Sequence, residues 1–509
     1  MTPTAWLIAR RALLDRPWRS TLLLFGYGAG VAIMIALLSV GDALLLEAQD
    51  RNLVAGGDVV VLPEGIDPAV IKVNGVTGLF FTIPNARFLV RDVIDGPRFR
   101  PDVIAAAPQI SSRLLYVRAR GRVVTAGASA GIPSLDQAAR AARTVTGATD
   151  SAADEAWLNP PVASLAARLD PFHVPPRPAA ALFVPGAQPA WVEWDYFNFF
   201  DPATRAHAYL QLLTGGPFGA VIARVQMPGG PVETAFIPRV LAPGDISTTS
   251  PDQRIGPGRV RVDAGGYHLT VTDRRLYADV TIRPDRGFML PARELRLGGI
   301  TNGHVVPVAR GRADGTLRVG GRTLTLSNAP AYHDHNWGTW SGTTWDWGQA
   351  SSDAGALVYD RVQLPTGDPA DGSGGRGMLF LWRADRSPGT PAAPGASLTR
   401  EQGGLVAALP VTDITYAGWR PGPLIAGRRV PALAEVTIHA ASGPDTATVR
   451  ITVRGVLGGL PPGAPVDPRA ARGLPLFLQL GGEATVRGTI GGVPVMWQGP
   501  AASETFVRP

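Results

Sequence analysis

The chain predicts a mainly β architecture of the sandwich or up-and-down barrel kind, headed by one apolar helix. Three observations carry this: short runs alternate apolar and polar residues with the period of a strand, paired glycines fall between such runs, and residues 20–41 contain no charge. Composition agrees, since 61 glycines and 47 prolines among 509 residues favour turns and oppose long helices. The hydrophobic share of 45% is ordinary for a globular chain, and the length leaves room for two or three domains.

The uncharged run is long enough to cross about 30 Å of hydrocarbon as a helix. Arg10, Arg11, Arg16 and Arg19 precede it, and Asp42, Glu47 and Asp50 follow. The positive-inside rule then makes 1–19 cytoplasmic, 20–41 a single membrane span and the rest extracytoplasmic. A cleaved signal peptide would have an apolar region of about 7–15 residues, shorter than this one. A buried globular helix is the third reading. Residues 42–135 hold short apolar runs such as Leu114 to Val117, broken by Gly and Pro, which suit a small β segment. Residues 136–184 pass from Ala-rich text into Asn159-Pro160-Pro161 and Val174-Pro175-Pro176, the composition of a linker.

From Trp191 onward strand signals are regular. Leu276, Ala278, Val280 and Ile282 alternate with Tyr277, Asp279, Thr281 and Arg283, and Val449, Ile451 and Val453 repeat the pattern. Gly320-Gly321, Gly481-Gly482 and Gly491-Gly492 read as hairpin turns between strands. The stretches 366–376, 387–397 and 461–473 read as long loops. Lys72 is the only lysine, so arginine carries the net charge of +7. No basic run or nucleic-acid module accompanies that charge, which excludes nucleic acid as a partner. With no cysteine there are no disulfides, thiolate chemistry or Cys-ligated zinc.

Residues 331–348, Ala-Tyr-His-Asp-His-Asn-Trp-Gly-Thr-Trp-Ser-Gly-Thr-Thr-Trp-Asp-Trp-Gly, concentrate the chemistry. On a strand, His333, His335 and Trp337 share one face, and Tyr332, Asp334 and Asn336 the other. His-x-His invites a metal, but the third ligand must come from elsewhere. His173, His207, His268, His304 and His439 are scattered without motif spacing, so no metal or cofactor is assigned. Trp345 and Trp347 share a face as a stacking wall, or simply as packed core, with Asp346 turned away.

This signature, together with Glu193-Trp194-Asp195-Tyr196-Phe197 and a closing strand containing Gly499, Glu504 and Phe506, resembles the carotenoid 1,2-hydratase family (hydroxyneurosporene synthases) and its lipocalin-like relatives, among them fungal Diels–Alderases. Asp195 departs from the family pattern, which has a second Trp there. The resemblance implies two consecutive lipocalin-like antiparallel barrels, over 185–327 and 328–509, with the signature at their seam. It implies catalytic roles for His335, Trp337, Tyr359 and Asp360. Arg361 beside Asp360 suggests a salt bridge that would weaken that acid, which favours Asp334 as the proton donor. Tyr332, His333, Asn336, Trp345, Trp347, Trp194 and Tyr196 are the expected ligand-binding set. The N-terminal part, through Gly57-Asp58-Val59-Val60-Val61-Leu62-Pro63, resembles the start of a macrolide-exporter-type ABC permease, without that family's later spans.

The expected protein is therefore a membrane-anchored double barrel that binds a long apolar, isoprenoid or carotenoid-like lipid and hydrates an alkene by acid catalysis. Protonation to a tertiary cation needs an acid, and Trp and Tyr faces shelter the charge. Three alternatives stand beside it: a carrier without turnover, an accessory subunit of an ABC export system, and a signature that is only a hydrogen-bonded plug between the barrels.

Overall fold

The computed structural model describes residues 82–119, 122–139, 148–173 and 191–507, the last stretch excepting 216–217, 243, 248–250, 298–299, 341–342, 364–376, 385–402, 423, 426–427, 430 and 460–474, with scattered positions before residue 62. The expected span over 20–41 and the three long loops fall mostly or wholly outside these residues. Within 20–41 the described positions, such as Phe25 and Tyr27, are helical. Among the described residues no helix is long and apolar enough to cross a membrane.

The chain forms two units, one from residues 1–82 and 109–149, the other from 83–108 and 150–509. In the smaller unit β1 (Gln109–Ala119) and β2 (Arg122–Gly131) pair antiparallel, and α2 (Pro133–Ala138) follows. In the larger unit α1 (Ile83–Arg87) runs into a π-helical turn, Phe88–Ile94. Arg98 then ties this segment to the second barrel, donating to the Val406 carbonyl at 2.8 Å and to Asp445 at 2.7 Å. Within the expected linker, the described residues 148–173 hold two helices. Ser151 and Asp154 form a reciprocal cap that starts α3 (Ala152–Leu158), and Pro161 precedes α4 (Val162–Leu169). Leu165 and Leu169, one turn apart, and Ala166 bury the inner face of α4 against the first sheet.

The first sheet has eleven strands: β3 (Trp191–Asp201), β4 (Ala206–Gly215), β5 (Phe218–Gln226), β6 (Val232–Val240), β7 (Asp252–Ile255), β8 (Gly258–Asp263), β9 (Gly266–Thr272), β10 (Leu276–Pro284), β11 (Leu290–Leu297), β12 (Ile300–Val319) and β13 (Arg322–Thr339). Its order is β6-β5-β4-β3-β13-β12-β10-β9-β8-β7, with β11 also on β12, and it curls almost closed. The second is a closed barrel of β14 (Thr344–Ser352), β15 (Gly355–Gln363), β16 (Met378–Ala384), β17 (Gly403–Ala417), β20 (Glu435–Ser442), β21 (Asp445–Gly459), β22 (Leu476–Ile490) and β23 (Val493–Val507). Between β17 and β20, β18 (Leu424–Ile425) and β19 (Arg428–Arg429) form a small hairpin. Two barrel-like sheets, mainly β, are thus what the alternating strands foretold.

The details shift some expectations. The signature strand is β13 and pairs with β3 and β12, so the chain crosses between sheets at 340–343 rather than at 327. Gly320-Gly321 and Gly491-Gly492 are turns, and both glycines of the second pair have positive φ, as a tight hairpin requires. Gly481-Gly482 instead lies inside β22. There a Cβ on Gly482 would meet the Thr452 carbonyl at 2.3 Å, so glycine serves close approach rather than turning.

Burial patterns show how the sheets pack. β10 alternates between core and surface as its sequence does, whereas β3 is buried on both faces. Its odd residues Phe197 and Phe199 enter the first sheet's interior, each contributing about 1.5–3 kcal/mol by leaving water. Its even residues Trp194 and Tyr196 join Trp345 and Trp347 of β14 in a cluster between the two sheets. Both interiors are filled with side chains, as small barrels usually are.

Candidate functional site

The cavity lies between the sheets, outside either interior. The first sheet contributes Trp194 and Tyr196 from β3, Gln211 from β4, His304 from β12, and Asp334 and Asn336 from β13; the second contributes Trp345 and Trp347, Asp360 and Val362, Phe477 and Gln479, and Glu504. Trp340, in the crossover, closes one wall. Trp194, Trp340 and Trp345 meet edge to face and stacked, with centroids 5.0–6.3 Å apart. The cavity is small, with room for a few waters or the end of an apolar chain, not its whole length.

Three carboxyl groups face this aromatic space. Asp334 accepts from the Tyr332 hydroxyl and the Asn336 amide, each at 2.9 Å. Asp360 accepts from Arg293 at 3.1 Å through one oxygen, while its other oxygen is buried without a hydrogen bond. His304 sits between them, 3.7 Å from Asp334 and 3.8 Å from Asp360, and its Nε2 makes no hydrogen bond. The buried Trp340 indole N–H likewise has no partner. Glu504 accepts from Trp345 Nε1 and from Gln479 Nε2, each at 2.9 Å. Burial pushes its carboxyl up to about 7, against the two donors and Arg224, which favour the charged form. It is therefore part-protonated at neutral pH.

The opposite face of β13 points into the first sheet's interior beneath α4. His333 donates from Nδ1 to the Tyr196 carbonyl at 3.1 Å and faces Asp170 through Nε2 at 2.9 Å. His335 faces Asp170 through Nδ1 at 2.6 Å and Glu193 through Nε2 at 2.8 Å. Acceptors face all four ring nitrogens, an arrangement that favours the doubly protonated form of each ring. Burial disfavours that charge, but Asp170 and Asp195 outweigh it and raise both imidazoles, with Glu193 adding at His335. Asp170 is held below the usual carboxylate range, since the two histidines outweigh its burial. Asp195 is pushed up to about 6 by burial.

The sequence-assigned residues therefore separate by strand parity. Asp334, Asp360, Asn336, Trp345, Trp347, Trp194 and Tyr196 line the cavity, and Tyr332 stands behind Asp334. His333, His335 and Trp337 lie on the other face, where the Trp337 indole donates to Glu294 at 2.9 Å. Tyr359 points into the second barrel and shares a hydrogen bond with Ser503 at 2.6 Å. Arg361 pairs with Asp346, so the partner of Asp360 is Arg293 instead. The plug also differs in place: it fills the first sheet's interior rather than the space between barrels. Sequence reasoning missed His304, which has no motif, and Asp170, which sat in the supposed linker. Glu504 was visible only as part of the closing-strand pattern.

No protein-family model matches the chain, and no curated protein does. Among solved structures, the chain is similar to kievitone hydratase from Nectria haematococca (12% identity, 62% of this chain and 88% of that one, TM-score 0.42). It is also similar to a putative AttH from Nitrosomonas europaea (13%, 67% and 100%, TM-score 0.41) and to CghA (14%, 67% and 94%, TM-score 0.41). Likeness this distant carries no information on substrate or chemistry, which rests on the side chains themselves.

Proposed function

We propose that the cavity between the barrels hydrates an alkene at one end of an apolar, isoprenoid-like lipid, with Glu504 as the acid. The observation that carries this is a carboxyl raised to about 7 in a cavity walled by tryptophans. Glu504 gives its proton to the less substituted alkene carbon, and the π electrons form the new C–H bond. The tertiary cation left behind is stabilised by the faces of Trp345, Trp347 and Trp194. A water held by Asp334 and His304 then forms the C–O bond, its surplus proton passes to the Asp334 carboxylate, and exchange with solvent restores Glu504. The unpartnered His304 Nε2, Asp360 oxygen and Trp340 N–H supply polar contacts for that water and the product hydroxyl.

The cavity's size supports a chain entering by one end, with the remainder outside. An anchor over 20–41, argued from the charge asymmetry, would keep the site at the bilayer where such a lipid resides, with residues 42–509 extracytoplasmic. A reporter fused after Pro509 that is active only in the cytoplasm would refute that topology. An accessory role in ABC export rests on the N-terminal resemblance alone.

The test is incubation of the full chain with squalene or lycopene in heavy-oxygen water, followed by mass spectrometry. Expected is one labelled hydroxyl per converted end with the native chain and about a hundredfold less label with Glu504→Gln. Equal labelling by the variant would remove Glu504 from the chemistry.

A further inference from the structure

The buried cluster under α4 has the layout of a metal centre. Asp170, Asp195 and His335 each present one donor atom, and these lie within 4.8 Å of one another; none of the three residues reaches solvent. His333 Nε2 reaches the second oxygen of Asp170 at 2.9 Å. Tetrahedral coordination at about 2.0–2.1 Å needs donor atoms roughly 3.3 Å apart, so adjustments of about 1 Å suffice.

Two independent features point to an ion rather than to hydrogen bonding alone. The first is Asp195 Oδ2, buried in a residue 1% exposed and without a hydrogen-bond partner, while Oδ1 stands 3.7 Å from His335 Nδ1. A lone dry carboxylate oxygen costs about 1–3 kcal/mol, and a cation would engage it. The second is the surrounding shell. A histidine that binds metal through one nitrogen commonly donates from the other to a carboxylate or a backbone carbonyl. His335 does so to Glu193, while the Tyr267 hydroxyl donates to Asp170 at 2.9 Å.

We propose that Asp170, Asp195 and His335 bind one divalent transition metal, of the zinc or manganese kind, that fastens the 150–173 segment to the first sheet. Two carboxylates and an imidazole, with no thiolate, suit zinc, manganese or ferrous iron. The ion takes the place of the proton on the His335 ring nitrogen that faces Asp170.

The test is metal analysis of the full chain, stripped with chelator and reloaded separately with zinc and manganese, paired with thermal unfolding. Expected is close to one equivalent of one metal after dialysis and a higher Tm than the stripped protein. Asp195→Asn decides between the readings. It removes the ill-paired acid, so a plug held by hydrogen bonds alone keeps or raises its Tm and shows no metal in either form. The metal reading instead predicts at least a tenfold loss of metal affinity in Asp195→Asn and the disappearance of the Tm difference between loaded and stripped protein. Less than a tenth of an equivalent in the native chain with both metals, with Tm unchanged by chelator, overturns the proposal.

Discussion

The two faces of β13 carry the same kinds of residue to opposite ends. Odd positions His333 and His335 meet carboxylates with nearly every polar atom paired and no solvent, as befits a group that holds structure. Even positions Asp334 and Asn336 face a cavity in which His304, Asp360 and Trp340 keep unpaired atoms and Glu504 is held near neutrality. Pairing is the difference. In the histidine cluster Asp195 Oδ2 alone lacks a hydrogen bond, whereas several groups in the cavity keep open atoms for a ligand.

The largest break in this comparison should come from Asp170→Ala. Leaving imidazolium charge buried without its main partner costs about 3–5 kcal/mol, so the urea midpoint should drop sharply. An unchanged midpoint would mean the interior face holds nothing.

Glu504→Gln should act the other way, lowering turnover about a hundredfold or more while the fold persists. Its stability effect has a definite sign. The folded value of about 7 lies above the ordinary 4.5, so the stabilisation is present below 4.5 and is lost as pH rises towards 7. The native chain therefore loses more stability across that window than the Gln variant, since Asp195, raised to about 6, weakens both alike. Denaturation at pH 5 and pH 8 reads the contrast.

A finer probe is Trp345→Phe, which keeps an aromatic face but removes the N–H that favours ionised Glu504. The alkaline limb of the rate profile should move upward, by less than about one unit. A downward move would show that the indole acts by another route. Smallest of all is Asp360→Asn on stability: Arg293 is 36% exposed, and such pairs contribute about 0–1 kcal/mol. A larger loss in a denaturant titration would make Asp360 a structural group like Asp170.

Strand alternation in 331–337 was enough to separate the two faces of β13, and Gly491-Gly492 marked its turn. Which face would be the working one was not legible, because that depends on a second sheet packing against the first. His304 and Glu504 join the cavity only through pairing between residues far apart in sequence. Asp170 was hidden by composition: Pro160-Pro161 and the alanines read as linker, although Ser151-x-x-Asp154 spelled a helix start and Leu165 with Leu169 a buried stripe. The π-turn at 88–94 left no sequence signal at all. Gly481-Gly482 misled because paired glycines serve close packing as readily as turns.

The central claim is that the cavity's acid is Glu504, kept half-protonated near neutral pH. Titration of its carboxyl carbon by NMR in selectively labelled full-length protein, assigned by its loss in Glu504→Gln, measures this directly. A midpoint near 7 is the expected result; a midpoint at the ordinary value for glutamate would contradict the account.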